Sequence, residues 1–177
     1  VRDRVGQEVL RRLLEPLFEP LFQEASFGFR PKRNCHQAIQ WLLSLHDDGY
    51  GFVLDADIEG FFDHIPQDVI RQLVADGYIL RLLQRFLAAG VMEDGVFKPT
   101  TVGTPQGGVI SPLLANIVLN QLDWALNRAG YQFARYADDF VVLTQSERQA
   151  QEALELVQQV LATLQLKLSP EKTRITT

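Results

Sequence analysis

Apolar residues in the first segment fall at Val5, Val9, Leu10, Leu13, Leu14, Leu17 and Phe18. That is helical spacing, and Pro16 and Pro20 should end the helix. Residues 25–33 (ASFGFRPKR) read as a loop, with Pro31 holding Arg30 extended. Asn34 is placed to cap a helix running to about Leu45, with Ala38, Ile39, Leu42 and Leu43 as its buried face. Residues 51–58 (GFVLDADI) change to a period of two. Leu54, Ala56 and Ile58 share one face of a strand, and Val53, Asp55 and Asp57 the other. Helices at about 66–75 and 79–89 follow, then a hairpin from Met92 to Phe97 and a loop, 98–109, rich in Gly and Pro. A long helix should span 111–128, opening on Ser111-Pro112 and stopping at Gly130. Strands at 131–136 and 139–144 flank a tight turn near Ala137-Asp138. A helix at 147–165 repeats Ala150, Leu154, Val157, Leu161 and Leu164, and a strand at about 172–176 closes the order.

Without the inserted helices this order is β-α-β-β-α-β, the split pattern of an antiparallel sheet with helices on one face and the other face open. Its first and third strands are central neighbours. The first ends in Asp57 and the third follows Asp138, so two distant acids should meet on the open face.

Composition narrows the class. The 177 residues are 46% hydrophobic and 22% charged, which suits a folded α+β domain. No apolar run approaches the roughly 20 residues that cross a bilayer, so no membrane partner is expected. One cysteine, Cys35, allows no internal disulfide and no cysteine zinc site, which makes a cytoplasmic setting the default. The first residue is Val, with no signal-peptide pattern, as in an excised piece. The net charge of −5 is unusual for a nucleic-acid binder.

Carboxylates brought to one point raise each other's pKa, unless a divalent cation neutralises them. All-oxygen ligation favours Mg²⁺, which takes one or two carboxylates and completes its shell with water and phosphate. Two such ions about 4 Å apart suit phosphoryl transfer. Taken alone, Asp138-Asp139 is equally a hairpin turn, and the Asp55/Asp57 face equally a solvated one. His36, His46 and His64 share no ligand spacing.

Four motifs in order change that balance: Phe27-Gly28-Phe29-Arg30-Pro31, Asp57-Ile58-Glu59-Gly60-Phe61-Phe62-Asp63, Pro105-Gln106-Gly107-Gly108 leading into Ser111-Pro112-Leu113-Leu114-Ala115-Asn116, and Arg135-Tyr136-Ala137-Asp138-Asp139. Together they resemble the reverse-transcriptase domain of group II intron-encoded proteins (maturases) over nearly the whole chain. The resemblance implies a polymerase palm with partial helical fingers: fingers at 1–50, a palm strand at 51–65, fingers–palm helices and hairpin at 66–104, and palm at 105–177. It also implies an RNA-directed DNA polymerase that adds dNTPs to a primer 3′-OH on an RNA template with two Mg²⁺ ions. In it Asp57 and Asp138 hold metal, the Ile58 carbonyl assists, and Asp139 is the third catalytic acid. Phe62 takes the steric-gate position, with a core aromatic as the alternative. Gln106 touches the nascent pair and incoming nucleotide, Gly107 and Gly108 let backbone approach the template closely, and Tyr136 belongs to the same dNTP and primer-template-binding set. Arg30 faces template phosphate, and Lys172 stands where a proton donor to pyrophosphate has been suggested. Asp55 is read as supporting or solvated.

The resemblance further implies basic fingers before Asp3 and a thumb with an intron-RNA-binding region after Thr177. Their absence would explain the charge, leave the isolated fragment weak or inactive, and expose apolar surface that favours a homodimer. It implies a bacterial or organellar home. Alternatives are a non-catalytic RNA-binding splicing module, a CRISPR-associated relative, or a metal-dependent nuclease. Intact Asp57, Asp138 and Asp139 count against the splicing module. The nuclease would need a water-activating group such as His or Lys beside the acids, and it leaves the residues around Gln106 unexplained.

Overall fold

Thr144 and Phe52 close one end of a strand pair that puts residues from the two halves of the chain side by side. In the computed structural model, residues 2–74, 77–88, 91–93, 96–98 and 108–177 are described. The order is α1 (Arg2–Phe18), α2 (Cys35–Asp47), β1 (Phe52–Ala56), α3 (Phe61–His64), α4 (Gln67–Leu73), α5 (Gly77–Ala88), β2 (Val91–Glu93), β3 (Val96–Lys98), α6 (Ser111–Arg128), β4 (Gln132–Tyr136), β5 (Asp139–Thr144), α7 (Glu147–Thr163) and β6 (Arg174–Thr176). The chain divides into two units, one of residues 1–21 and 60–118, the other of residues 22–59 and 119–177.

In the first unit, α1 packs against α5 and buries Leu10 and Leu14. The helix runs through Pro16 and ends in a 3₁₀ turn, Glu19–Leu21, so it is Pro20 rather than Pro16 that marks its end. Val5, Val9, Leu13 and Leu17, part of the same helical pattern, are more than half exposed. The short helix α3 was not foreseen; it starts at Gly60, whose φ is +51, beside a buried Phe61. Strands β2 and β3 pair antiparallel, with Met92 opposite Phe97. The Asp94-Gly95 tip lies outside the described residues, as does 99–107, with Gln106 and Gly107.

The second unit holds the sheet, in the order β4-β5-β1-β6, all antiparallel. The first and third strands of the split pattern are therefore central neighbours, as expected. Leu54 pairs with Val142 and Ala56 with Phe140, and all four are buried. α7 packs on β1, β5 and β6, burying Ala150, Ala153, Val157 and Leu161.

The opposite face carries Asp55, opposite Val141, and it is less open than the pattern suggests. α2 lies against β4 and β5, where Ala38, Leu42, Phe27, Ala134 and Val141 form an apolar cluster. The Trp41 indole N–H donates to the Phe133 carbonyl at 3.0 Å. Asn34 caps α2 as expected: its side chain accepts from the Gln37 N–H while Gln37 caps back, the reciprocal capping box. Ile39 and Leu43 do not join the core; both are more than half exposed. The open part of this face is left to β1, β6 and the tips.

Residues 25–27 extend the β4 edge in parallel. The Phe27 N–H donates to the Arg135 carbonyl and the Arg135 N–H to the Ala25 carbonyl, each at 2.8 Å, so an edge that could otherwise recruit another chain is covered.

Candidate active site

Asp57 follows the last residue of β1, and two backbone bonds fix it. Its carbonyl accepts from the Ser169 N–H at 2.9 Å, and the Glu59 N–H donates to the Lys167 carbonyl at 3.0 Å. Between them Ile58 buries its side chain in a bridge to Leu168. Asp138 and Asp139 arrive from the β4–β5 turn. Its first residue, Ala137, has φ +63, a left-handed conformation that a residue with a Cβ adopts at a cost. The turn is supported from behind by Gly28. A Cβ on Gly28 would stand 2.2 Å from the Ala137 nitrogen and 2.9 Å from the Tyr136 carbonyl carbon. Only a residue without a side chain lets the 25–29 segment approach so closely.

The three acids act on one another. Burial, chiefly, and then the Asp57 charge push the Asp138 carboxyl up from its ordinary range, against a bond to its own backbone and the Lys172 and Arg135 charges. Burial also raises Asp139, reinforced by its hydrogen bond to Asp57 and by the Asp138 and Asp57 charges. The Lys172 ammonium lies 2.9 Å from Asp57 Oδ2, and this bond raises the lysine. Asp57 is 14% exposed and Lys172 67%, so the pair sits at the rim. Asp55, two residues back, is held by Arg174, whose Nε and Nη2 both reach one carboxylate oxygen.

The donor set fits a hard divalent cation. It is all oxygen, it concentrates negative charge, and Asp57 already draws a cationic side chain. Among the described residues no three His, Cys, Asp or Glu side chains are set to hold a metal by themselves. Mg²⁺ itself takes only one or two carboxylates and leaves most of its shell to water and phosphate. The raised carboxyls give a thermal test. Asp138 and Asp139 hold protons more tightly in the folded state than their ordinary value of 3.8, so the stability they contribute is full below that value and is lost as pH rises through the raised values. Mg²⁺ should offset that loss at neutral pH, raising Tm in a melt by an amount equivalent to about 2.7 kcal/mol at 100 times its Kd. The increment should vanish in acid, as the carboxyls take up protons.

Other expected residues are distributed differently. Arg30 is 8% exposed. Its guanidinium donates to the Gln23 and Ser26 carbonyls at 2.6 and 2.8 Å and lies over the Phe22 ring. It organises the 22–33 loop from inside and is not the phosphate-facing cation that the sequence suggested. Tyr136 is exposed on the acid-bearing face, beside a groove of about 260 Å³ bordered by Ala38, Leu42, Val141 and Asp139. In the first unit, Phe62 stacks edge-on against Phe61 at 5.4 Å. The Gly108 carbonyl accepts the Ser111 N–H, and the following Val109 N–H donates to the Gln7 side chain at 2.8 Å.

Two residues behind the turn were missed. Asp123, on α6, is fully buried and forms a two-pronged ion pair with Arg135. Ser26 Oγ accepts from Arg135 Nη2 at 2.7 Å. The signal for Asp123 was an acid among Leu119, Leu122 and Leu126, since a buried charge requires a partner.

Among known proteins, residues 1–177 match the family described as reverse transcriptase (RNA-dependent DNA polymerase). Protein YkfC of Escherichia coli K12 is 33% identical, over 99% of this chain and 57% of its own. Group II intron-encoded protein LtrA of Lactococcus lactis is 38% identical, over 68% of this chain and 21% of its own. A solved structure of telomerase from Candida albicans, in complex with a fragment of telomeric RNA, superposes with a TM-score of 0.68 at 15% identity, covering 100% of this chain and 34% of that one; it shows the fold. The chain spans between 12% and 57% of the length of these and similar curated relatives. The sheet order, the acids at the tips of β1 and the β4–β5 turn, and these matches agree: the chain belongs to the reverse transcriptase family and carries the mixed helix–sheet palm fold of its polymerases.

Proposed function

We propose that this chain is the polymerase core of an RNA-directed DNA polymerase, extending a primer 3′-OH with dNTPs on an RNA template. The observation that carries the reading is the convergence of Asp57, Asp138 and Asp139, with Lys172 on Asp57. Two Mg²⁺ ions, when bound, would supply activation of the 3′-OH and neutralisation of the departing pyrophosphate. Asp57 and Asp138 would hold them, assisted by the Ile58 carbonyl. Asp139, whose carboxyl Asp57 helps to raise, adds the third negative charge. Lys172 is the cationic group at the rim, suited to give a proton to the leaving pyrophosphate. Phe62 is assigned to the sugar of the incoming nucleotide, Gln106 to the nascent pair and incoming nucleotide, Gly107 and Gly108 to the template, and Tyr136 to the primer-template-binding set. In this reading residues 1–50 serve as partial fingers, 66–104 as the fingers–palm helices and hairpin, and 51–65 and 105–177 as palm. Group II intron RNA is the partner in the whole protein, by analogy with the intron-encoded relatives. No helix among the described residues is long and apolar enough to cross a membrane.

The test is primer extension on oligonucleotide-primed RNA with Mg²⁺. Templated incorporation is expected, slow for the 177 residues by themselves because the relatives are longer. No templated addition, either by this chain or by its full-length gene product, overturns the reading.

A further inference from the structure

The β4–β5 turn is strained, and strain persists only where the surroundings over-determine it. Arg135 supplies that determination. It is 0% exposed, as is Asp123. Its Nε and Nη2 donate to the two Asp123 carboxylate oxygens at 2.8 and 2.6 Å, fixing the plane of the guanidinium against α6. With that plane fixed, Nη1 reaches forward to the Ala137 carbonyl at 2.8 Å, the peptide oxygen immediately before Asp138. Nη2 also reaches Ser26, in the segment that places Gly28 behind the same turn. The backbone of Arg135 joins this segment through two further bonds.

We propose that Arg135 and Asp123 form a positioning device for Asp138: the buried pair clasps the Ala137 carbonyl and thereby sets where the carboxylate stands. The inference rests on the polymerase reading for its consequence in catalysis, but not for its geometry. A pair kept only for stability would be poorly chosen, because a buried ion pair is commonly matched or bettered by apolar residues of the same volume. Its yield here is direction. A guanidinium has a rigid fork that serves an acid and a carbonyl together, and a lysine has no such fork.

The experiment uses two variants beside the unmodified protein. Arg135→Lys keeps the charge opposite Asp123 and loses the fork. Asp123→Leu with Arg135→Met removes both charges at similar volume. Both are expected to melt within a few degrees of the parent. In both, amide hydrogen exchange at 137–139 should quicken while β1 stays protected, and Mn²⁺ affinity by electron paramagnetic resonance should fall about tenfold. The kcat for dNTP addition should fall about 100-fold with KM little changed, as expected when a reacting group is displaced by an ångström. If either variant folds with parental exchange at 137–139 and parental Mn²⁺ affinity, the positioning role is overturned. Should the parent bind Mn²⁺ yet never extend a primer, the polymerase reading falls, and the exchange and affinity measurements still decide the role of the pair.

Discussion

Asp138→Asn is expected to reduce templated nucleotide addition by about 10³-fold and to raise, not lower, the melting temperature in metal-free buffer. Burial and the Asp57 charge both disfavour the ionised carboxylate, so the amide relieves a standing repulsion at neutral pH. A rise of about 2 °C fits a chain of this size. The Mg²⁺-dependent increment should disappear at the same time. This opposition of stability and activity is a signature of a functional site. A residue that merely shaped the turn would lose both together. Asp57→Asn should match the loss of activity. Its ion pair with Lys172 is exposed on the lysine side, and surface pairs contribute little. Asp55→Asn, on the same strand face but paired with Arg174, should leave the rate within about twofold. Primer extension and thermal melts of the three variants with and without Mg²⁺ decide the matter; a metal-free Asp138→Asn protein that melts lower than the parent would remove the electrostatic argument.

Gly28→Ala should have the second largest effect. The new methyl meets three backbone atoms of the β4–β5 turn within 3.1 Å, the nearest at 2.2 Å. None of them can swing aside as a side-chain tip would. Either the 25–29 segment lifts from the sheet edge, losing its bonds to Arg135, or the turn moves. Overpacking of this kind costs about 1–3 kcal/mol, and a displaced Asp138 would cut the rate by about 100-fold. Gly51→Ala serves as the control: nothing lies within 4 Å of its Cβ position, and activity should be unchanged. Urea melts and single-nucleotide kinetics read both. A Gly28→Ala protein with parental stability and rate would show that this close approach is not required.

The sheet and its acids were legible because period-two alternation in 51–58 fixes which residues share a face, and because a split pattern has few ways to close. Asp57 and Asp138 could be placed together before any coordinates. α2 on the acid-bearing face was not legible, since its apolar positions do not say which surface they meet. Ile39 and Leu43 looked like core and face outward, while Ala38, the smallest of the four, is the one that is buried. Arg30 misled for a related reason. A cation beside Lys32 and Arg33 reads as surface, and only the fold reveals three buried carbonyl and aromatic partners turned toward it. Asp123 was the reverse case, an acid on an apolar face whose partner lay in a motif already noticed for other residues.

The pairing of β1 with β5 joins segments separated by nearly half the chain. A nascent polypeptide emerging from the ribosome therefore holds Asp57 long before it holds Asp138, and no half-finished copy can assemble the constellation. Register closure between these two strands is then the step that brings Asp57 beside Asp138 and Asp139, and products of synthesis that stop short of residue 144 lack the complete pairing.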